Sequence, residues 1–167
     1  MVTIKNKLAD GEVHHLIQTI YKTCKSESNL SLRPKNELRK TYDEGRILIA
    51  VDRSSLVGWL MLLPYTNKVQ ELAAGFVVDT YRSKGVFTQL IKNAVTHSQV
   101  SMLVTFNKPL YNHLINKVGF KDCSLLETII LSRGKFLLNR LNLERLKAIN
   151  NHYQMNKPKY LIYKRHE

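Results

Sequence analysis

Cysteine is scarce in this chain of 167 residues. Cys24 and Cys123 stand far apart, and neither belongs to a CxxC pair or a Cys/His cluster. That excludes a disulfide framework and a zinc-type ligand spacing, so two reduced, part-buried thiols and no metal are expected. Long hydrophobic runs are missing as well. Stretches such as 60–63 and 72–78 fall far short of the ~20 apolar residues that cross a bilayer. The opening MVTIKNKLADGEVHH lacks an apolar signal-type core and carries two acids by Glu12. A soluble, cytoplasmic protein without a membrane partner is expected. Acid is the third shortage: 13 Asp and Glu face 26 Lys and Arg, a net charge of +13. Such a field attracts nucleic acid, anionic membrane and phosphorylated cofactors, and it repels polycations. The excess gathers late, with nine bases against Glu144 and Glu167 over 133–167.

What is present is ordinary for a globular domain: 44% apolar and 23% charged residues rule out global disorder. No repeat, low-complexity segment or linker divides the chain, so a single domain over 1–167 is expected. Residues 1–5 read as a strand. Asp10 reads as the N-cap of a helix to about Cys24, with Val13, Ile17, Ile20 and Tyr21 on one face. Pro34 opens a second helix over 35–43, and Gly45 closes it. Strands at 46–51 and 56–63 flank a tight turn, and 70–78 is a third strand. From Val86 the apolar spacing becomes helical, and 101–106 is another strand. Asn107 caps a helix over 108–118, which Gly119 stops. Strands are expected at 123–131 and 160–164, with an imperfectly striped helix at 135–152 between them. Hairpins mixed with βαβ crossovers predict an α/β (α+β) fold with a mixed, mostly antiparallel sheet and helices on both faces. An all-helical bundle is excluded, and a Rossmann fold is disfavoured because its βα alternation would begin at the first strand.

The sharpest chemistry lies at Val77-Val78-Asp79-Thr80-Tyr81-Arg82-Ser83-Lys84-Gly85-Val86-Phe87-Thr88, a strand, a basic turn, a glycine and a helix. The first N–H groups of a helix lack intrahelical partners, and the helix dipole places positive charge there. Gly85 admits a close backbone approach, while Arg82 and Lys84 add full charges, so the segment suits a phosphate. Alone, it would more readily describe a solvated β-turn-α junction.

The segment resembles the acetyl-coenzyme A signature of the GCN5-related N-acetyltransferases (GNAT), (Q/R)xxGx(G/A) after a strand. Arg82, Ser83, Lys84, Gly85 and Val86 match, and Phe87 replaces the final small residue. Downstream, Asn107-Lys108-Pro109 through Val118-Gly119-Phe120 is similar to the family's strand-Asn-helix-Gly-Phe segment. The resemblance implies the acyl-CoA N-acyltransferase fold, acetyl-coenzyme A as cosubstrate where the central strands splay, and direct transfer to an amine. It implies cofactor contacts from the main chain of Phe76, Val77 and Val78, from the turn Arg82 to Thr88, and from Asn107, which helix capping would also explain. Six positions before Val77, Glu71 falls where several members hold a general base; it would otherwise be a strand residue facing solvent. Many members place a tyrosine acid four residues before the Gly of Gly-Phe, and here Ile115 stands there. Tyr111, one turn earlier, is the remaining candidate acid, or else an aromatic of the helix–sheet core.

Where relatives have a short hairpin before the last strand, this chain inserts 133–158, with Phe136, Leu137, Leu143, Leu146 and Ile149 as an apolar stripe. The stripe is expected to fold back on its own domain in a monomer, or otherwise to make a homodimer. Two rival functions remain: a catalytically weak GNAT-fold module binding nucleic acid or ribosome, favoured by the net charge, and a transferase of longer acyl chains. The acceptor amine has no transferable code.

Overall fold

A computed structural model describes residues 1–27, 30, 32–140 and 157–165. The chain forms two compact units, Met1–Leu62 with Ala74–Ala94, and Leu63–Ala73 with Val95–Glu167.

In the first unit, β1 (Val2–Lys5), β2 (Ile47–Asp52) and β3 (Ser55–Pro64) pair antiparallel, through Val2↔Asp52 and Ile47↔Met61. The β2–β3 turn is tight: Asp52 pairs with Ser55, and Arg53 takes φ +55°. Helix α1 (Asp10–Ser26) packs on α2 (Lys35–Asp43). Val13, Leu16, Ile17, Ile20 and Cys24 are buried at the i, i+3, i+4, i+7 spacing of an amphipathic helix. Asp10 is the first helical residue rather than the cap; Ala9 holds the cap position, and its N–H donates to Glu12 at 3.2 Å. Pro34 and Gly45, the latter at φ +69°, bound α2 as expected. Helix α3 (Val86–Ala94) lies against β1 and β2 and buries Val86, Leu90, Ile91 and Ala94. Burial pushes the Cys24 thiol up to about 11, so it is protonated and inert at neutral pH.

In the second unit the first residues of β4 (Val69–Val77) run parallel to β5 (Val100–Thr105), from Val69↔Val100 to Leu72↔Leu103. β5 pairs antiparallel with β7 (Lys159–Lys164), and β7 with β6 (Lys121–Cys123). The strand order is β1-β2-β3-β4-β5-β7-β6, the mixed and mostly antiparallel sheet that the sequence predicts. Asn107 caps α4 (Lys108–His113), which continues as a π-helical turn over Leu114–Val118 and stops at Gly119, φ +91°.

One expected strand is corrected. Residues 123–131 are not a strand: β6 ends at Cys123, and Leu125–Leu131 is a helix, α5. The run LLETIIL suits either state by composition, and its capping decides. Ser124 Oγ accepts the Glu127 N–H at 3.0 Å, the Ser-x-x-Glu start of a helix. A short helix, α6 (Lys135–Leu138), follows Gly134 at φ +76°. The rest of the helix expected over 135–152, with Leu143, Leu146 and Ile149, lies outside the described residues. Phe136 is fully buried with Tyr65, Val69 and Met102, whereas Leu137 is exposed. The segment after Gly134 therefore buries at least one of its apolar residues within its own unit. Among the described residues, no helix is long and apolar enough to cross a membrane.

Candidate active site

Each end of β4 carries its own group of candidate residues. At the distal end, Phe76 stacks on Trp59 with ring centroids 4.9 Å apart, and the Val78 N–H donates to Val57 O at 3.0 Å. A 3-10 turn, Asp79–Tyr81, leads to Arg82. Arg82 braces this turn: Nε donates to Val77 O at 3.3 Å, Nη2 pairs with Asp79 at 2.7 Å, and the guanidinium lies over the Phe76 ring. Tyr81 donates to Asp52 at 3.0 Å, a bond that raises its phenol pKa, and the Lys84 ammonium sits 4.9 Å from its ring centre.

The backbone then alternates. Arg82 has φ −61°, Ser83 +63° and Gly85 +76°, with Lys84 outside the positive-φ set. Alternation of this kind shapes an anion nest from backbone N–H groups, and within it the Lys84 N–H donates to Tyr81 O at 3.4 Å. The first α-helical bond here is from the Gln89 N–H to Gly85 O, at 3.0 Å, so the donors before it precede the helix's own ladder. A Cβ added at Gly85 would meet nothing within 4 Å, which leaves this face of the turn open. Two backbone positions at φ > 0, an open face and flanking cations fit a diphosphate.

Phe87 has a local explanation. A Cβ on Gly75 would stand 2.8 Å from Phe87 Cε2 and 2.9 Å from Leu60 Cδ1. The aromatic that replaces the signature's small residue thus lies over a glycine of β4. A glycine inside a strand signals such an approach.

At the proximal end, side chains alternate. Gln70 Nε2 donates to Ser101 Oγ at 3.0 Å, while Glu71 joins a separate cluster. Glu71 is buried, not facing solvent. Its carboxylate accepts from the Tyr65 hydroxyl, from Arg140 Nη2 at 2.6 Å and from Arg140 Nη1 at 3.2 Å. The Arg140 guanidinium lies 3.5 Å from the Phe136 ring centre. Asn139 bonds the Tyr65 hydroxyl, and Lys135 Nζ donates to Tyr65 O at 2.8 Å. Burial and then the Glu71 charge push the Tyr65 phenol far up, so it stays protonated. Burial works to lower the Arg140 pKa, but the Glu71 carboxylate outweighs it and the net shift is upward. Just beyond, Ala74 takes φ +48°, a left-handed kink within β4.

The remaining candidates are placed as follows. Asn107 Oδ1 accepts the Leu110 N–H at 2.9 Å, so its side-chain oxygen caps α4. Tyr111 is not a core aromatic: it is half-buried, donates to Asp122 at 2.5 Å, and its pKa is raised by that bond. Sequence reasoning missed Tyr65, Asn139 and Arg140. Arg140 carried no signal beyond membership of a basic tail. Among the described residues, no group of three or more His, Cys, Asp or Glu is placed to hold a metal.

No protein-family model matches the chain, and no curated protein matches its sequence. Solved structures do. The N-acetylglutamate synthase of Neisseria gonorrhoeae, solved with coenzyme A and N-acetyl-glutamate, superposes with a TM-score of 0.67 at 14% identity, covering 100% of this chain and 36% of that one. The chain therefore spans about a third of that enzyme. A GNAT-family acetyltransferase of Bacillus cereus gives 0.65 at 16% identity, covering 100% and 99%. Ard1 of Thermoplasma volcanium gives 0.66 at 12%, covering 99% of both chains. The chain has the GNAT fold.

Proposed function

We propose that the protein transfers an acetyl group from acetyl-coenzyme A directly to an amine. The observation that carries this reading is the strand–turn–helix at Val77–Thr88, whose alternating φ signs and open Gly85 suit a diphosphate, on a fold whose solved examples include acetyltransferases complexed with coenzyme A. When bound, the cosubstrate supplies the activated acyl carbon as a thioester. The nest at Ser83–Thr88 holds its diphosphate, and the main chain of Phe76–Val78 holds the pantetheine arm. Glu71 takes a proton from the acceptor ammonium. The freed nitrogen lone pair forms the C–N bond as the C–S pair leaves on sulfur. The nitrogen loses its second proton, the thiolate gains one, and one proton is released net. Thiolate is a fair leaving group, so Ile115 in place of an acid is chemically acceptable.

The test is a thiol-release assay over a panel of amines, peptides and tRNA, with mass analysis of each acceptor. One acetyl group gained per thiol released supports the reading. Thiol release without an acetylated amine, or no release at all, overturns it.

A further inference from the structure

Glu71 is already neutralised where it lies. Both its partners' donors are in place, and Arg140 engages it through two nitrogens. A base in that state can receive an ammonium only if the guanidinium is offered another anion. The surroundings point the same way. Lys135, Phe136, Asn139 and Arg140, all from the segment after Gly134, converge on Tyr65 and Glu71. Among the described residues the cluster holds two cations, Lys135 and Arg140, against one carboxylate, so an amine bearing only positive charge meets net repulsion from them. Exposure is divided unequally: the Arg140 side chain is 28% accessible, and that of Glu71 6%. The group that reaches solvent is the anion binder, and the proton acceptor lies behind it. The guanidinium is also pre-oriented by its stack on Phe136 and by the Phe136 carbonyl at 3.4 Å, which favours planar, two-point carboxylate recognition.

We infer that the acceptor is a free amino acid, whose carboxylate is bound by Arg140 and whose ammonium is thereby paired with Glu71. Arg140 is a specificity-determining residue, exchanging one carboxylate for another. The exchange keeps every charge paired, so its cost is far below that of stripping Arg140 from Glu71. This inference rests on the acetyltransferase reading above, with Glu71 as base.

The experiment compares L-amino acids with their amides and with the amines left when the carboxylate is removed, on wild type and on Arg140→Gln. For wild type, kcat/KM should favour the amino acid over the matching amine by roughly 10²-fold, as expected for one charge-paired contact. In the presence of coenzyme A, the same amino acid should raise the melting temperature and its amide should not. Arg140→Gln should bring the two rates within a few fold of each other, and Arg140→Lys should restore part of the preference. The wild-type comparison stands even if a variant fails to fold. Acetyl transfer to amines and amino acids alike overturns the inference and leaves the transferase reading intact. Transfer to no amine of any kind overturns both.

Discussion

The two ends of β4 are built in opposite ways. Around Arg82 the shaping contacts are short-range: Arg82 to Val77 and Asp79, Lys84 to Tyr81, Phe87 near Gly75, with Tyr81 to Asp52 the longer exception. Around Glu71 the decisive contact is with Arg140, 69 residues away. A turn made by neighbours can be read from neighbours, and its backbone geometry and flanking cations suit an anion. A buried carboxylate takes its character from whatever the fold brings against it, and here that is the segment after Gly134. In the proposed reading the first region receives the constant part of the cosubstrate, and the second selects the acceptor.

The largest expected effect lies in the second region. Phe136→Ala removes a fully buried ring that packs edge-on to Tyr65 and Tyr160. It should cost about 3–5 kcal/mol in denaturant unfolding. A loss below 1 kcal/mol would show that the segment after Gly134 is not anchored there. Tyr65→Phe keeps the ring and deletes one donor to a buried carboxylate, so about 1.5–3 kcal/mol should be lost.

In the first region the effects are smaller and can be cross-checked. Gly75→Ala drives a methyl into Phe87 and Leu60 and should cost about 1–3 kcal/mol. Phe87→Ala should relieve part of that cost, so the double variant is more stable than additivity predicts. Strict additivity would mean that Phe87 does not rest on Gly75. Gly85→Ala meets no atom, so only its φ of +76° matters, and about 1 kcal/mol should be lost. Acetyl-coenzyme A should raise the wild-type melting temperature, and dephosphorylated pantetheine much less. Equal shifts would empty the nest of its assigned role.

Most of the fold was legible because its signals are local. Pro34 and Gly45 bound a helix, Asn107 caps one, and the Val86 spacing sets the face of α3. The misread stretch, 123–131, failed because an apolar run fits a strand and a helix alike, and the short-range Ser124–Glu127 cap was overlooked. Position 71 could be singled out only through the family resemblance, six residues before Val77, and its burial could not be read at all. Nothing in the sequence around Arg140 distinguishes it from the other bases of that tail, because its partner is chosen by tertiary packing.

Separating the two regions kinetically tests the account most directly. In Glu71→Gln the carboxamide keeps an acceptor for Tyr65 but loses the proton-accepting charge. Single-turnover acetyl transfer should fall by roughly 10²-fold or more, and the acidic limb of the pH–rate profile should disappear. Affinity for acetyl-coenzyme A, measured by calorimetry on the same sample, should stay within twofold of wild type. An unchanged rate, or a rate and an affinity that fall together, would contradict the division of labour between the nest at Ser83–Thr88 and the carboxylate of Glu71.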